Sequence, residues 1–206
     1  MPHLTRPAVG RRDVVHVTVR CVEGLPSLQG RRCAARIYRV LAAEKNDKGF
    51  RLAHFAVQSN HLHLVCEGDD ARALSRGVQR VTSRIARRAN ELWGRRGRVF
   101  SDRFHERVLT SPRQVRNVLS YVLLNLHKDF AKKGTTLVGV NPFTSGRYFD
   151  GWEDRPPSCD PGPDGGEWEE DDDDVPVTRP ESWLLRTGWK RWGLISIYEK
   201  APKLDD

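Results

Sequence analysis

Apolar residues change their spacing five times between positions 13 and 132, and that alternation restricts the folds open to this chain. Residues 13–20, DVVHVTVR, partly alternate and are rich in Val and Thr, the pattern of a strand. Residues 31–46 place Ala34, Ile37 and Leu41 on one helical face, and Asn46-Asp47-Lys48-Gly49 ends that helix in a turn. Residues 51–58 and 61–67 read as two strands joined across Ser59-Asn60, a hairpin. Gly68-Asp69-Asp70 caps a helix over 71–93, whose Leu74, Val78, Val81, Ile85, Ala89 and Leu92 form a core stripe. A fourth strand covers 103–110. Ser111-Pro112 then opens a third helix to about residue 130 or 132, with Val115, Val118, Leu119, Val122, Leu126 and Phe130 on its apolar face. The order β-α-β-β-α-β is that of the split βαβ, ferredoxin-like arrangement. The expected fold is therefore α+β: a four-stranded antiparallel sheet with helices on one face, followed by the third helix.

Charge is distributed unevenly over this frame. The 206 residues carry a net +8, but residues 1–150 hold 28 Lys+Arg against 12 Asp+Glu, and residues 151–206 hold 7 against 15. In the basic part 23 of the 28 cations are Arg, the side chain that grips phosphate bidentately. A polyanion, nucleic acid above all, is the partner this implies. Arg72, Arg76, Arg80, Arg84 and Arg88 recur every four residues on the second helix, with Arg87 beside them, and form a ridge. Asp69, Asp70 and Glu91 lie only at its ends, so the ridge reads as short of acidic partners. Arg95, Arg96 and Arg98 make the following loop basic. Residues 151–178 form an acidic, Pro/Gly-rich linker with a disordered composition, and 179–206 form a short Trp-rich element. No apolar run approaches the ~18 residues of a membrane helix, and no secretory signal is visible, so a cytoplasmic, nucleoid-associated protein is expected. Cys21, Cys33, Cys66 and Cys159 are scattered without a CxxC pair, which argues against a zinc ribbon.

The candidate chemistry lies in two short stretches. His61-Leu62-His63 opens the third strand, where i and i+2 share a face, so both imidazoles project together and can share one divalent metal. On the third helix Tyr121 and Asn125 stand one turn apart on one face. Tyr121 is a potential covalent nucleophile and Asn125 a neutral oxygen ligand. Each stretch taken singly also suits a plain role, a pair of strand histidines and the polar side of an amphipathic helix. His16, His54 and His105 fall on strands and read as sheet-filling or surface residues rather than ligands.

Taken in order, these features resemble the single-tyrosine HUH transposases of bacterial insertion sequences, and most closely the REP-associated tyrosine transposase branch. The residues that carry the resemblance are His16-Val17-Thr18-Val19-Arg20, Ser59-Asn60-His61-Leu62-His63-Leu64, Arg103-Phe104 and Tyr121-Val122-Leu123-Leu124-Asn125. It covers about residues 10–150, and residues 1–150 would form the catalytic domain. Ser59 and Leu126 stand where the family often has Pro. The resemblance implies a metal-dependent endonuclease and strand transferase on single-stranded or hairpin DNA. In that reading His61, His63 and Asn125 hold Mg²⁺ or Mn²⁺, and Tyr121 forms a 5′-phosphotyrosine. Arg72, Arg76, Arg80, Arg84, Arg87, Arg88, Arg95, Arg96 and Arg98 hold the DNA backbone, and the protein works as a monomer or homodimer. The alternative on the same fold is a catalytically inactive or domesticated nucleic-acid-binding module.

Overall fold

A computed structural model describes residues 9–101, 104–132, 139–154 and 175–204, with the side chains of the third helix described as far as Leu124. Its elements run β1 (Asp13–Arg20), α1 (Arg31–Glu44), β2 (Asn46–Asp47), β3 (Phe50–Val57), β4 (His61–Gly68), α2 (Ala71–Trp93), β5 (His105–Leu109) and α3 (Pro112–Lys132). A 3-10 turn follows at Ser145–Tyr148. A short helix α4 (Trp183–Arg186) and a second 3-10 turn (Gly188–Trp192) form the C-terminal element. The linker residues 155–174, with the acidic run Glu169–Asp174, lie outside the described residues, as does Arg103.

The sheet is antiparallel, in the order β2-β3-β4-β1-β5. Its four long strands have the ferredoxin-like order expected from the sequence. The additional strand is the two-residue β2, which pairs Asn46 with Arg51 and Asp47 with Phe50. The turn between them needs two consecutive positive φ angles, Lys48 at 49° and Gly49 at 80°, which give the tight reversal whose twist matches paired strands. The segment that ends α1 therefore also adds an edge to the sheet.

Strict alternation sorts the strands' side chains into two cores. Val15, Val17, Val19, Leu62, Leu64 and Cys66 face α1 and α2, with Ile37, Leu41, Val78, Val81 and Ile85 packed on them. Val14, Ala56 and Val65 face α3, through Val115, Val118, Leu119, Val122 and Leu123. The helices α1 and α2 cover one face, as expected, and α3 covers the other. The C-terminal element joins this second core: Leu185, Trp189 and Ile195 are buried there, with Trp189 stacked on Phe149 at 5.4 Å.

Two local features fix α2. Asp70 accepts the Ala73 N–H at its start, and Gly94, at φ 62°, closes its end in the left-handed conformation. Gly77 lets the helix lie directly on β3, because a Cβ there would overlap the fully buried Phe50 ring. Gly77→Ala is therefore expected to lower stability by about 2 kcal/mol despite Ala's better helix propensity. Urea unfolding measures this as a reduced midpoint at unchanged slope. An unchanged midpoint would mean that α2 can ride up on the sheet without loss.

Candidate active site

The site grows out of the alternation on β4. Leu62, Leu64 and Cys66 are committed to the core under α1 and α2, so His61, His63, Val65 and Glu67 must face the α3 layer. Register then sets the neighbours. Arg20 of β1 pairs with His61, Thr18 with His63, and Ala56 of β3 lies opposite His63 on the other side. The bulky residues of α3 fix its rotation over this face. Ser111 Oγ caps its first turn by accepting the Gln114 N–H, and Val115, Val118 and Val122 are buried. That rotation turns the half-buried Tyr121 toward the histidines, its ring centroid 5.2 Å from that of His63 and nearly perpendicular to it.

The imidazole geometry suits a shared cation. The two Nε2 atoms of His61 and His63 are 3.0 Å apart on rings at 89° to one another. Ligands about 2.1 Å from one cation and at right angles to each other stand about 3 Å apart, so the pair matches two neighbouring positions of a coordination sphere. His61 Nδ1 lies 2.8 Å from Asn60 Oδ1, a contact that holds the ring's far side. Burial, then the neighbouring His16 and His61 rings and the Arg20 guanidinium, holds His63 far below the usual imidazole pKa, so it is an uncharged donor at neutral pH. Among the described residues no group of three His, Cys, Asp or Glu side chains is arranged to hold a metal. Asn125 follows Tyr121 by one turn of α3, and its side chain lies outside the described residues.

One residue read from the sequence as sheet-filling belongs to the site. His16 Nε2 is 3.1 Å from His63 Nδ1, and its ring is 6.4 Å from that of Tyr121. Thr18 Oγ1 is 3.2 Å from the same His63 nitrogen. The signal was present in the sequence. Val15, Val17 and Val19 claim one face of β1, which leaves His16, Thr18 and Arg20 on the other. On β5, Arg107 pairs with His16 and His105 with Thr18. Burial, then Arg107 and His105, lowers the His16 pKa to about 4.

The arginine ridge is placed differently. It lies on α2, in the layer opposite to His61, His63 and Tyr121. It is also less short of acidic partners than its own helix suggests. Glu44 of α1, almost fully buried, pairs with both Arg80 and Arg84, Asp47 pairs with Arg80, and Glu91 with Arg88. Glu44 lies 36 residues before Arg80, on another element, which the helix spacing cannot reveal. Arg72, Arg76 and Arg87 are exposed. The loop after α2 runs toward the site. The Cys21 N–H donates to the Asn60 carbonyl on one side and Cys21 bridges Phe100 on the other, so residues 99–101 cross the sheet end where His61 stands. Within that loop Arg95 is bound to Asn90 and the Arg98 carbonyl.

His54 and His105 are not brought to the pair. His105 is exposed. His54 is buried on β3 against Ser145 Oγ at 3.2 Å, and burial lowers its pKa to about 4 although Asp150 opposes the shift. The unfolded chain takes up a proton here below pH 6.5, whereas the folded protein does so only near 4. Stability should thus be level above pH 6.5 and fall as the pH drops from 6.5 to 4, by on the order of 3 kcal/mol from this residue. Urea midpoints at several pH values test this. A His54→Gln variant as steep as the wild type over that window would remove His54 as the cause.

Known proteins resemble this chain in sequence pattern and in fold. The family model described as "Transposase IS200 like" matches residues 13–124, from the first residue of β1 to the residue before Asn125. Among solved structures, a REP-associated tyrosine transposase bound to a REP hairpin superposes with a TM-score of 0.51 at 16% identity. The overlap covers 63% of this chain and 74% of that one. No curated protein matches significantly. Among the described residues no helix is long and apolar enough to cross a membrane. With the family model spanning more than half of the sequence, this chain belongs to the IS200-like transposases.

Proposed function

We propose that the protein is a metal-dependent endonuclease and strand transferase that cuts single-stranded or hairpin DNA through a covalent bond to Tyr121. The observation that carries this reading is the placement of the Tyr121 ring against His63, whose Nε2 converges with that of His61. His61 and His63 would hold Mg²⁺ or Mn²⁺, with Asn125 as the proposed third protein ligand. When bound, the cation would polarise the scissile phosphate and offset charge in the transition state. Tyr121 Oη attacks phosphorus, which leaves a 5′-phosphotyrosine and a free 3′-OH. An ordinary tyrosine phenol titrates near 10, so its proton must leave at or before attack. Arg20 and Arg107 stand on the face that carries the histidines and supply positive potential where the phenolate and phosphate meet. The phosphodiester energy is kept in the new bond, so rejoining needs no ATP.

DNA is the proposed partner, in single-stranded form or as a hairpin, the form bound by the structural neighbour. The exposed Arg72, Arg76 and Arg87, with the 95–98 loop, are proposed to contact backbone phosphate rather than bases. The protein is proposed to work as a monomer or homodimer. The test is to incubate the full chain with single-stranded hairpin DNA and Mn²⁺, denature it, and map any adduct by peptide mass spectrometry. A denaturant-stable adduct on Tyr121, absent in EDTA, is expected. Salt-sensitive binding with neither cleavage nor adduct would instead establish the inactive DNA-binding module. Cleavage without an adduct would establish a hydrolase.

A further inference from the structure

The proton arrangement around the histidine pair carries a further inference, which rests on the reading of His61 and His63 as cation ligands. Three short nitrogen contacts run in series: His16 Nε2 to His63 Nδ1 at 3.1 Å, His63 Nε2 to His61 Nε2 at 3.0 Å, and His61 Nδ1 to Asn60 Oδ1 at 2.8 Å. The His16 and His63 rings are tilted by only 28°, with centroids 5.2 Å apart. With their nitrogens at 3.1 Å the rings meet edge to edge, and an in-plane N–H on one can point at the lone pair of the other. A neutral imidazole has one donor nitrogen and one acceptor nitrogen. At the far end the choice is made. Asn60 Oδ1 accepts from His61, so His61 carries its proton on Nδ1 and its Nε2 is bare.

Two arrangements remain for the other rings. In one, His16 Nε2–H donates to His63 Nδ1 and His63 Nε2–H donates to His61 Nε2, so every short contact is a hydrogen bond. In the other, His63 carries its proton on Nδ1 and donates it to His16 Nε2, whose own proton then sits on its Nδ1. The two bare Nε2 atoms of His61 and His63 now face each other at 3.0 Å, which is favourable only with a cation between them. Each ring holds one proton in both arrangements, so passage between them takes up and releases none.

We propose that His16 is a positioning residue that ties the tautomer of His63 to occupancy of the histidine pair. Without a cation the chain of bonds runs from His16 toward His61. With a cation it reverses at His63, and His16 becomes the acceptor that keeps the His63 Nε2 lone pair turned to the ligand position. Thr18 Oγ1, 3.2 Å from His63 Nδ1, serves both arrangements because a hydroxyl can donate or accept. Arg107, His105 and Arg20 are the charged or titratable groups that face these rings from β5 and β1.

Two-bond ¹H–¹⁵N correlation spectra of ¹⁵N-histidine-labelled full-length protein at neutral pH report which nitrogen of each ring is protonated. The metal-free protein should show His16 and His63 both protonated on Nε2. Saturating Mg²⁺ should move both protons to Nδ1 and leave His61 protonated on Nδ1 throughout. His16→Ala, with an unchanged circular dichroism spectrum, should show mixed tautomers at His63 and bind Mn²⁺ about 10–100-fold more weakly. His16→Gln, whose carboxamide can donate or accept, should recover most of that affinity. A His63 proton that stays on one nitrogen with and without Mg²⁺, or an unchanged Mn²⁺ affinity in His16→Ala, would overturn the role of His16 and leave the ligand reading standing. A cation that perturbs neither His61 nor His63 would overturn both.

Discussion

Phe in place of Tyr121 is expected to leave folding and hairpin binding intact while strand cleavage falls by roughly a thousand-fold or more. The ring contributes to the second core and lies against His63, and Phe keeps that ring. What it removes is the single oxygen proposed to bond phosphorus. The rotation of α3 rests on Val115, Val118 and Val122, none of which changes. Binding followed by fluorescence anisotropy should give the same Kd, and single-turnover cleavage on a denaturing gel should lose both product and adduct. Cleavage that persists in Tyr121→Phe would transfer the reaction to an activated water and end the assignment of this residue as nucleophile.

The second large effect is expected far from the chemistry, at Glu67. Its side chain is fully buried at the end of β4 and accepts the backbone N–H groups of Glu181 at 2.7 Å and Ser182 at 2.9 Å. It also pairs with the buried Arg51, which in turn reaches Asp69 at 2.9 Å and Glu181 at 3.6 Å. Glu67→Ala strands two backbone donors and leaves a buried guanidinium with weaker compensation, a loss of about 3–5 kcal/mol. For a chain of this length that is roughly 10 °C in Tm. Because the lost acceptor holds the start of the C-terminal element, that element should become accessible to protease before the sheet does. Glu67→Gln, which keeps an oxygen acceptor, should lose less. A Tm drop of under about 2 °C in Glu67→Ala would show that Trp189 and its neighbours dock the element without this carboxyl group.

Much of the fold was legible because its signals are local. The stripe from Leu74 to Leu92, with Asp70 before it and Gly94 after it, defines α2 at both ends, and the hairpin and α3 were equally clear from their turns and caps. The histidine pair and Tyr121 were legible as residue types at fixed spacing. What could not be read depends on pairings between distant segments. The contact of His16 with His63 follows from the register of β1 against β4, which no local pattern states. Glu44 becomes a partner of Arg80 and Arg84 only when α1 and α2 lie side by side. The helical period shows that the ridge avoids the core, but which face of the sheet α2 covers follows from the crossover that carries the chain from β4 to β5. That crossover sets the ridge on the side away from Tyr121.

The flanks of the 155–174 segment are both stitched to the same body. On one side Gly151 and Glu153 exchange backbone bonds with Ile195, and on the other Thr178 bonds to the Leu52 carbonyl and Glu181 to Glu67. The polypeptide link between those flanks is therefore not what holds the C-terminal element in place. A protein opened by a single cut inside 155–174 should persist as a two-fragment complex, and separately expressed pieces should complement one another. That would allow residues 175–206 to be added, withheld or exchanged as an independent reagent.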